Sequence, residues 1–99
     1  MKTTELYDWI IQETVEVSGI GRDRTEHGKD EESSDARVAV VWLLGRVLTD
    51  AQISLLMGIT RRGVHYIRSS YEAKRGKWVV RSIVEAVRKR MGSEVLQGK

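Results

Sequence analysis

Thr49-Asp50-Ala51-Gln52-Ile53-Ser54-Leu55-Leu56-Met57-Gly58-Ile59-Thr60-Arg61-Arg62-Gly63-Val64-His65-Tyr66-Ile67-Arg68 reads as two short helices meeting at a glycine. Thr49 and Gln52 stand at capping-box spacing: the threonine hydroxyl takes the N–H of Gln52, and the Gln52 side chain reaches back. Ile53, Leu56 and Met57 then form an apolar stripe, and Gly58 suits the left-handed residue that closes a helix. Thr60 caps the second helix, whose inward positions are Val64, Ile67 and Tyr71, at i, i+3 and i+7. A helix-turn-helix needs a small residue at the crossing, a turn residue that tolerates positive φ, and apolar residues that clamp the second helix. Ser54, Gly58, Ile59, Val64 and Ile67 fill those slots. The spacing predicts a helix-turn-helix over residues 49–71, with an ordinary αα-hairpin as the plain alternative.

Outward from this unit the pattern stays helical. Val38-Ala39-Val40-Val41-Trp42-Leu43-Leu44 is apolar nearly all round, as suits a helix with neighbours on several sides. A central helix is expected from near Asp35 to Arg46, with Trp42 buried. Residues 19–34 are polar, acidic and punctuated by glycine, so they read as a mobile loop with room for one helical turn. Ahead of it a first helix runs from about Thr4 to Ser18, capped by Thr3 or Thr4. It turns Leu6, Ile10 and Val17 inward, with Trp9 as a core anchor. Beyond the basic turn Lys74-Arg75-Gly76-Lys77, a last helix is expected from Trp78 to about Met91, with Val79, Ile83, Val87 and Met91 buried. Arg81, Arg88, Lys89 and Arg90 mark its wet side, the last three also complementing the helix C-terminus. Residues 92–99 read as a frayed tail. The expected fold is all-α: about five helices in one bundle, residues 1–99 forming a single domain.

Composition narrows the function. The chain has 99 residues, no cysteine and no proline, with 40% hydrophobic and 31% charged residues. That excludes disulfides and thiolate metal sites and fits a small globular domain. The longest apolar run is far short of the roughly 20 residues that span a bilayer, so no membrane association is expected. Acidic residues near the start stand where a signal peptide would need its apolar stretch, which points to the cytoplasm. The net charge of +3 is unevenly spread. Residues 1–35 hold four Lys/Arg against ten Asp/Glu, and residues 36–99 hold thirteen against four. The second segment is a polyanion-binding footprint.

The second helix of a helix-turn-helix enters the major groove with its N-terminal end. Here that end is Thr60-Arg61-Arg62, with His65 one turn on. Arginine offers a fork to guanine O6 and N7, and cations at a helix N-terminus oppose the helix dipole. Two arginines there are better explained by a ligand than by stability. Thr60, Arg61, Arg62 and His65 are expected to approach bases, with Arg68, Ser69, Lys74, Arg75 and Lys77 at phosphates. The last three also fit a plain solvated turn. His27 with Asp23 and Glu31 is drawn together only by a helix that the flanking glycines argue against, so no metal or other cofactor is expected.

Asp35 to Leu44, Leu48 to Ile53 and Gly58 to Ile67 together resemble the C-terminal DNA-binding domain of the bacterial replication initiator DnaA. Ala36-Arg37 matches that family's Ala-Arg helix start. Gly58 and Val64 match the framework of its Gly-Arg-Asp-His-Thr-Thr-Val motif. The resemblance implies a Trp-repressor-like helical fold and binding of double-stranded DNA, as a stand-alone relative of phage or mobile-element type. Ile59, Thr60, Arg61 and Gly63 depart from the motif, so the initiator's own DNA sequence is not implied. The loop ahead of the Ala-Arg start is basic in the family and acidic here. A homodimer on two half-sites would be expected of so small a DNA-binding module, although no interface is legible. The rival reading is a protein-interaction module on the same scaffold, without DNA binding. An enzyme is not expected: there are only two histidines and no Ser/His/acid set at recognisable spacing.

Overall fold

Caps and glycines set where the chain turns. The structure, a computed structural model, describes residues 2–91; the tail expected at 92–99 lies outside the described residues. Its elements are α1 (Thr3–Ser18), α2 (Arg22–His27), α3 (Glu31–Leu44), α4 (Asp50–Met57), α5 (Arg61–Ser69), α6 (Tyr71–Lys74) and α7 (Trp78–Met91). The all-α expectation holds, with seven helical segments where about five were expected.

The two extra segments arise from local chemistry. Residues 19–34, expected to be a loop, instead form α2 and the first turn of α3. Thr25 turns inward on α2, where its hydroxyl donates to Gly21 O at 2.9 Å. Arg37, reaching back from α3, donates from Nε to Thr25 O at 3.0 Å and from a terminal nitrogen to Gly28 O. A guanidinium on the last carbonyls of α2 satisfies acceptors that a six-residue helix leaves open. Burial pulls the pKa of Arg37 down, with Asp30 partly offsetting it. Asp30 then caps α3: Ser33 N donates to it at 3.2 Å and Ser33 Oγ at 2.7 Å. Glu31 and Glu32 follow in the positive first turn. The polarity that reads as loop is therefore the exposed start of the central helix, which begins four residues before Asp35. At the other extra segment, α5 ends at Ser69 and the chain restarts as the single turn α6.

The centre of the molecule is α3, which packs against α1, α2, α5, α6 and α7. Ala36, Ala39, Val40, Val41, Leu43 and Leu44 are fully buried on it. Trp42 is the exception: it is half-buried, because its arc of the helix faces the gap between α6 and α7. Tyr71 stacks on it, and the Arg46 and Arg88 guanidiniums lie 5.2 and 5.9 Å from its ring centre.

The buried stripes of the outer helices sit one step round from those expected. On α1 the buried residues include Tyr7, Ile10, Ile11 and Thr14, while Leu6, Trp9 and Val17 pack at the edge. On α7 they are Val80, Ile83, Val84 and Val87, with Val79 and Met91 flanking. The N-cap position of α1 is Lys2, not a threonine, and its backbone N–H donates to Glu5 Oε1 at 3.0 Å. Arg90 closes α7 onto α1 by pairing with Glu13 and with Glu16 at 3.2 Å. No helix among the described residues is long and apolar enough to cross a membrane.

Candidate nucleic-acid interface

The α4–turn–α5 unit is built as its residues require. Gln52 N donates to Thr49 Oγ1 at 3.2 Å and Thr49 N to Gln52 Oε1 at 2.9 Å, completing the capping box. Gly58 closes α4 at φ 71°, ψ 32°, its N–H on Ser54 O at 2.9 Å. The Ser54 hydroxyl donates to Ile59 O, so the small residue at the crossing also satisfies a carbonyl of the turn. Thr60 Oγ1 then accepts from Gly63 N at 3.0 Å and starts α5. A side chain at Gly63 would place its Cβ 3.2 Å from that hydroxyl, so the absent side chain leaves the cap room. Val64 is fully buried, and Ile67 packs half-buried at the core edge.

These constraints turn the other side of α5 outward. Thr60, Arg61, Arg62 and His65 are exposed. Among the described residues no carboxylate pairs with Arg61 or Arg62, and α5 carries no acidic residue. Two positive charges thus stand at the positive end of a helix dipole with no described carboxylate to neutralise them. Tyr66, which sequence reasoning left out, belongs to the same surface at 73% exposure, one turn beyond Arg62. Its place at i+4 from Arg62 is the signal that would have found it.

The remaining candidates have other partners. Arg68 grips Asp50 across the unit: one terminal nitrogen donates to Oδ2 at 3.0 Å and the other lies 2.9 Å from Oδ1. It therefore locks α5 to the start of α4. Lys74 and Lys77 converge on Asp35, which is only 2% exposed, at 3.2 and 2.8 Å. Lys77 also pairs with Glu31. The hydrogen bond to Asp35, and then the one to Glu31, raise the pKa of Lys77. Of the three cations in the basic turn, only Arg75 remains largely free, with a loose 3.5 Å pair to exposed Glu72. Ser69 is exposed and borders a groove floored by Trp42.

His27 ends α2, exposed. Among the described residues no three His, Asp or Glu side chains come together to hold a metal ion. No protein-family model, curated protein or solved structure matches this chain.

Proposed function

We propose that this chain binds double-stranded DNA, with α4 and α5 acting as a helix-turn-helix, as a small cytoplasmic regulator of transcription or replication of phage or mobile-element type. One observation carries the reading: Arg61 and Arg62 stand exposed at the start of α5 with His65 exposed one turn on, and among the described residues the two arginines have no carboxylate partner. Guanidiniums placed against the helix dipole cost some stability, and an anionic groove offsets that cost. The N-terminal end of α5 is also the part of such a helix that meets base edges. Arg61 and Arg62 supply the forks for guanine, and His65 and Tyr66 lie one turn further along for bases or sugar–phosphate. Lys74 and Lys77 serve the fold through Asp35. A single unit of this size makes few contacts, so a homodimer spanning two half-sites supplies working affinity.

A second reading has its own support. Leu55, on the helix that precedes α5, is 85% exposed. An apolar side chain so placed favours a protein partner.

Selection of bound duplexes from a random pool, with binding measured at several salt concentrations, tests the proposal. Each phosphate contact contributes a slope of about −0.9 in log K against log salt, so three contacts per chain give about −3. An enriched sequence with that slope is expected. Absence of duplex binding, or binding that ignores salt, overturns the DNA reading in favour of the protein-partner one.

A further inference from the structure

A second cationic feature lies away from the N-terminus of α5. The cleft between α3, α6 and α7 is floored by Trp42 and Tyr71 and walled by Arg46, Arg75, Arg81 and Arg88. Three of these guanidiniums, Arg46, Arg81 and Arg88, have no carboxylate partner among the described residues. Arg46 and Arg88 both approach one indole, at 5.2 and 5.9 Å from its centre. Two like charges are thus gathered on a single ring. Glu72 and Glu85 also line the cleft, so four arginines face two glutamates. Glu72 is turned to Arg75, and Glu85 pairs with none of the four.

We infer that this cleft binds a row of phosphates. The Trp42 ring already carries the Tyr71 stack and two guanidiniums, so the site offers charge and forked donors rather than a slot for a planar base. Planar guanidinium forks match phosphate oxygens two by two. A neighbouring groove shares Trp42, Arg46, Tyr71 and Glu72 with this cleft and is also lined by Gly45 and Ser69. Arg81 and Arg88 stand two turns apart on α7, about 10 Å along the helix, so the guanidiniums are spread over more than one phosphate. Ser69 lies four and eight residues after His65 and Arg61, on the same side of α5. A phosphate chain in the cleft therefore meets the end of the surface proposed to face DNA. The phosphates come either from the backbone of that duplex, in which case the inference rests on the DNA reading, or from a free polyphosphate or nucleotide.

The test uses the full chain, sodium tripolyphosphate and a duplex of random sequence. Binding is followed by calorimetry and mobility shift, and by Trp42 emission in a Trp9→Phe, Trp78→Phe background. Arg81→Gln with Arg88→Gln is compared with Arg61→Ala with Arg62→Ala. Arg81→Gln alone, at an exposed side chain, keeps the comparison readable where the double variant loses its fold. The cleft variant is expected to weaken binding at least tenfold for one or both ligands, with a shift of Trp42 emission on binding by the parent. Loss on duplex, with the salt slope shallower by about two, identifies backbone phosphates. Loss on tripolyphosphate alone identifies a free ligand, and the site then stands even where the parent ignores duplex DNA. Duplex binding that falls on loss of Arg61 and Arg62 but not of Arg81 and Arg88, with no tripolyphosphate bound, overturns the cleft and leaves the DNA reading intact. A parent that binds neither ligand overturns both.

Discussion

Trp42 and Tyr71 stack with ring centres 4.4 Å apart and planes 13° from parallel, joining the central helix to the single turn α6. Tyr71 follows α5 by two residues, so the stack helps fix where the C-terminal end of α5 meets the core. Offset-stacked pairs contribute about 0.5–1.5 kcal/mol beyond the area they bury. A double-mutant cycle on Trp42→Ala and Tyr71→Ala should show a coupling of that size by denaturant unfolding. Trp42→Ala alone should cost about 2 kcal/mol, below the usual 3–5 kcal/mol for a fully buried tryptophan, since the indole is half in water. Additive single effects would show that the stack contributes no coupling.

The same tryptophan shows what the sequence could and could not disclose. An apolar run marks α3 as central, and Val38 to Leu44 does so here. It does not say which residue of an all-apolar turn faces a gap, because that depends on where α6 and α7 lie. Caps were legible where both partners sit within four residues, as at Thr49–Gln52 and Thr60–Gly63. Asp30 is equally local, yet it stands among glycines and acids that read as loop. The anchor of α2, Arg37, comes from another helix and leaves no mark in the local pattern. Nor does the pairing of Lys74 and Lys77 with Asp35, some forty residues away along the chain. Arg61 and Arg62 were readable because their exposure follows from Val64 and Ile67 alone.

Gly58 holds φ 71° with open space around the position where a Cβ would sit. The cost of a side chain there is backbone strain and not collision. Gly58→Ala should destabilise the fold by about 1–2 kcal/mol, the usual penalty of left-handed backbone for an L-residue. Chemical denaturation measures it. Unchanged stability would mean that the turn relaxes to another conformation, and α5 should then sit differently on the core.

Asp30 gives the fold an acid-sensitive joint. Hydrogen bonds from Ser33, then from Arg24, lower its carboxyl pKa to about 2, against an ordinary value of 3.8. The folded carboxyl is the stronger acid, so its ionisation favours the folded state. That contribution is complete above the unfolded pKa and is lost as pH falls from about 4 toward about 2. Asp30→Asn keeps an oxygen for the cap and removes the charge. Its melting temperature should be lower than the parent's at neutral pH and should change less between pH 4 and pH 2. Parallel curves for the two proteins would assign the acid response to other carboxylates.

Arg61 and Arg62 open α5 without a carboxylate partner among the described residues, and their positions oppose the helix dipole. Replacing either with alanine should leave folding within about 0.5 kcal/mol of the parent, or slightly improve it. Binding should respond in one of two ways. An arginine that forks to guanine should cost about 1–3 kcal/mol on the selected duplex and relax preference at one base pair. An arginine that meets only phosphate should weaken all duplexes alike and lower the salt slope by about one. Mobility shifts on selected and scrambled duplexes, each at two salt concentrations, separate these outcomes. If both variants bind every duplex as tightly as the parent, α5 is not the recognition helix. The exposed Leu55 and Tyr66 would then mark the more promising contact surface, for a protein partner.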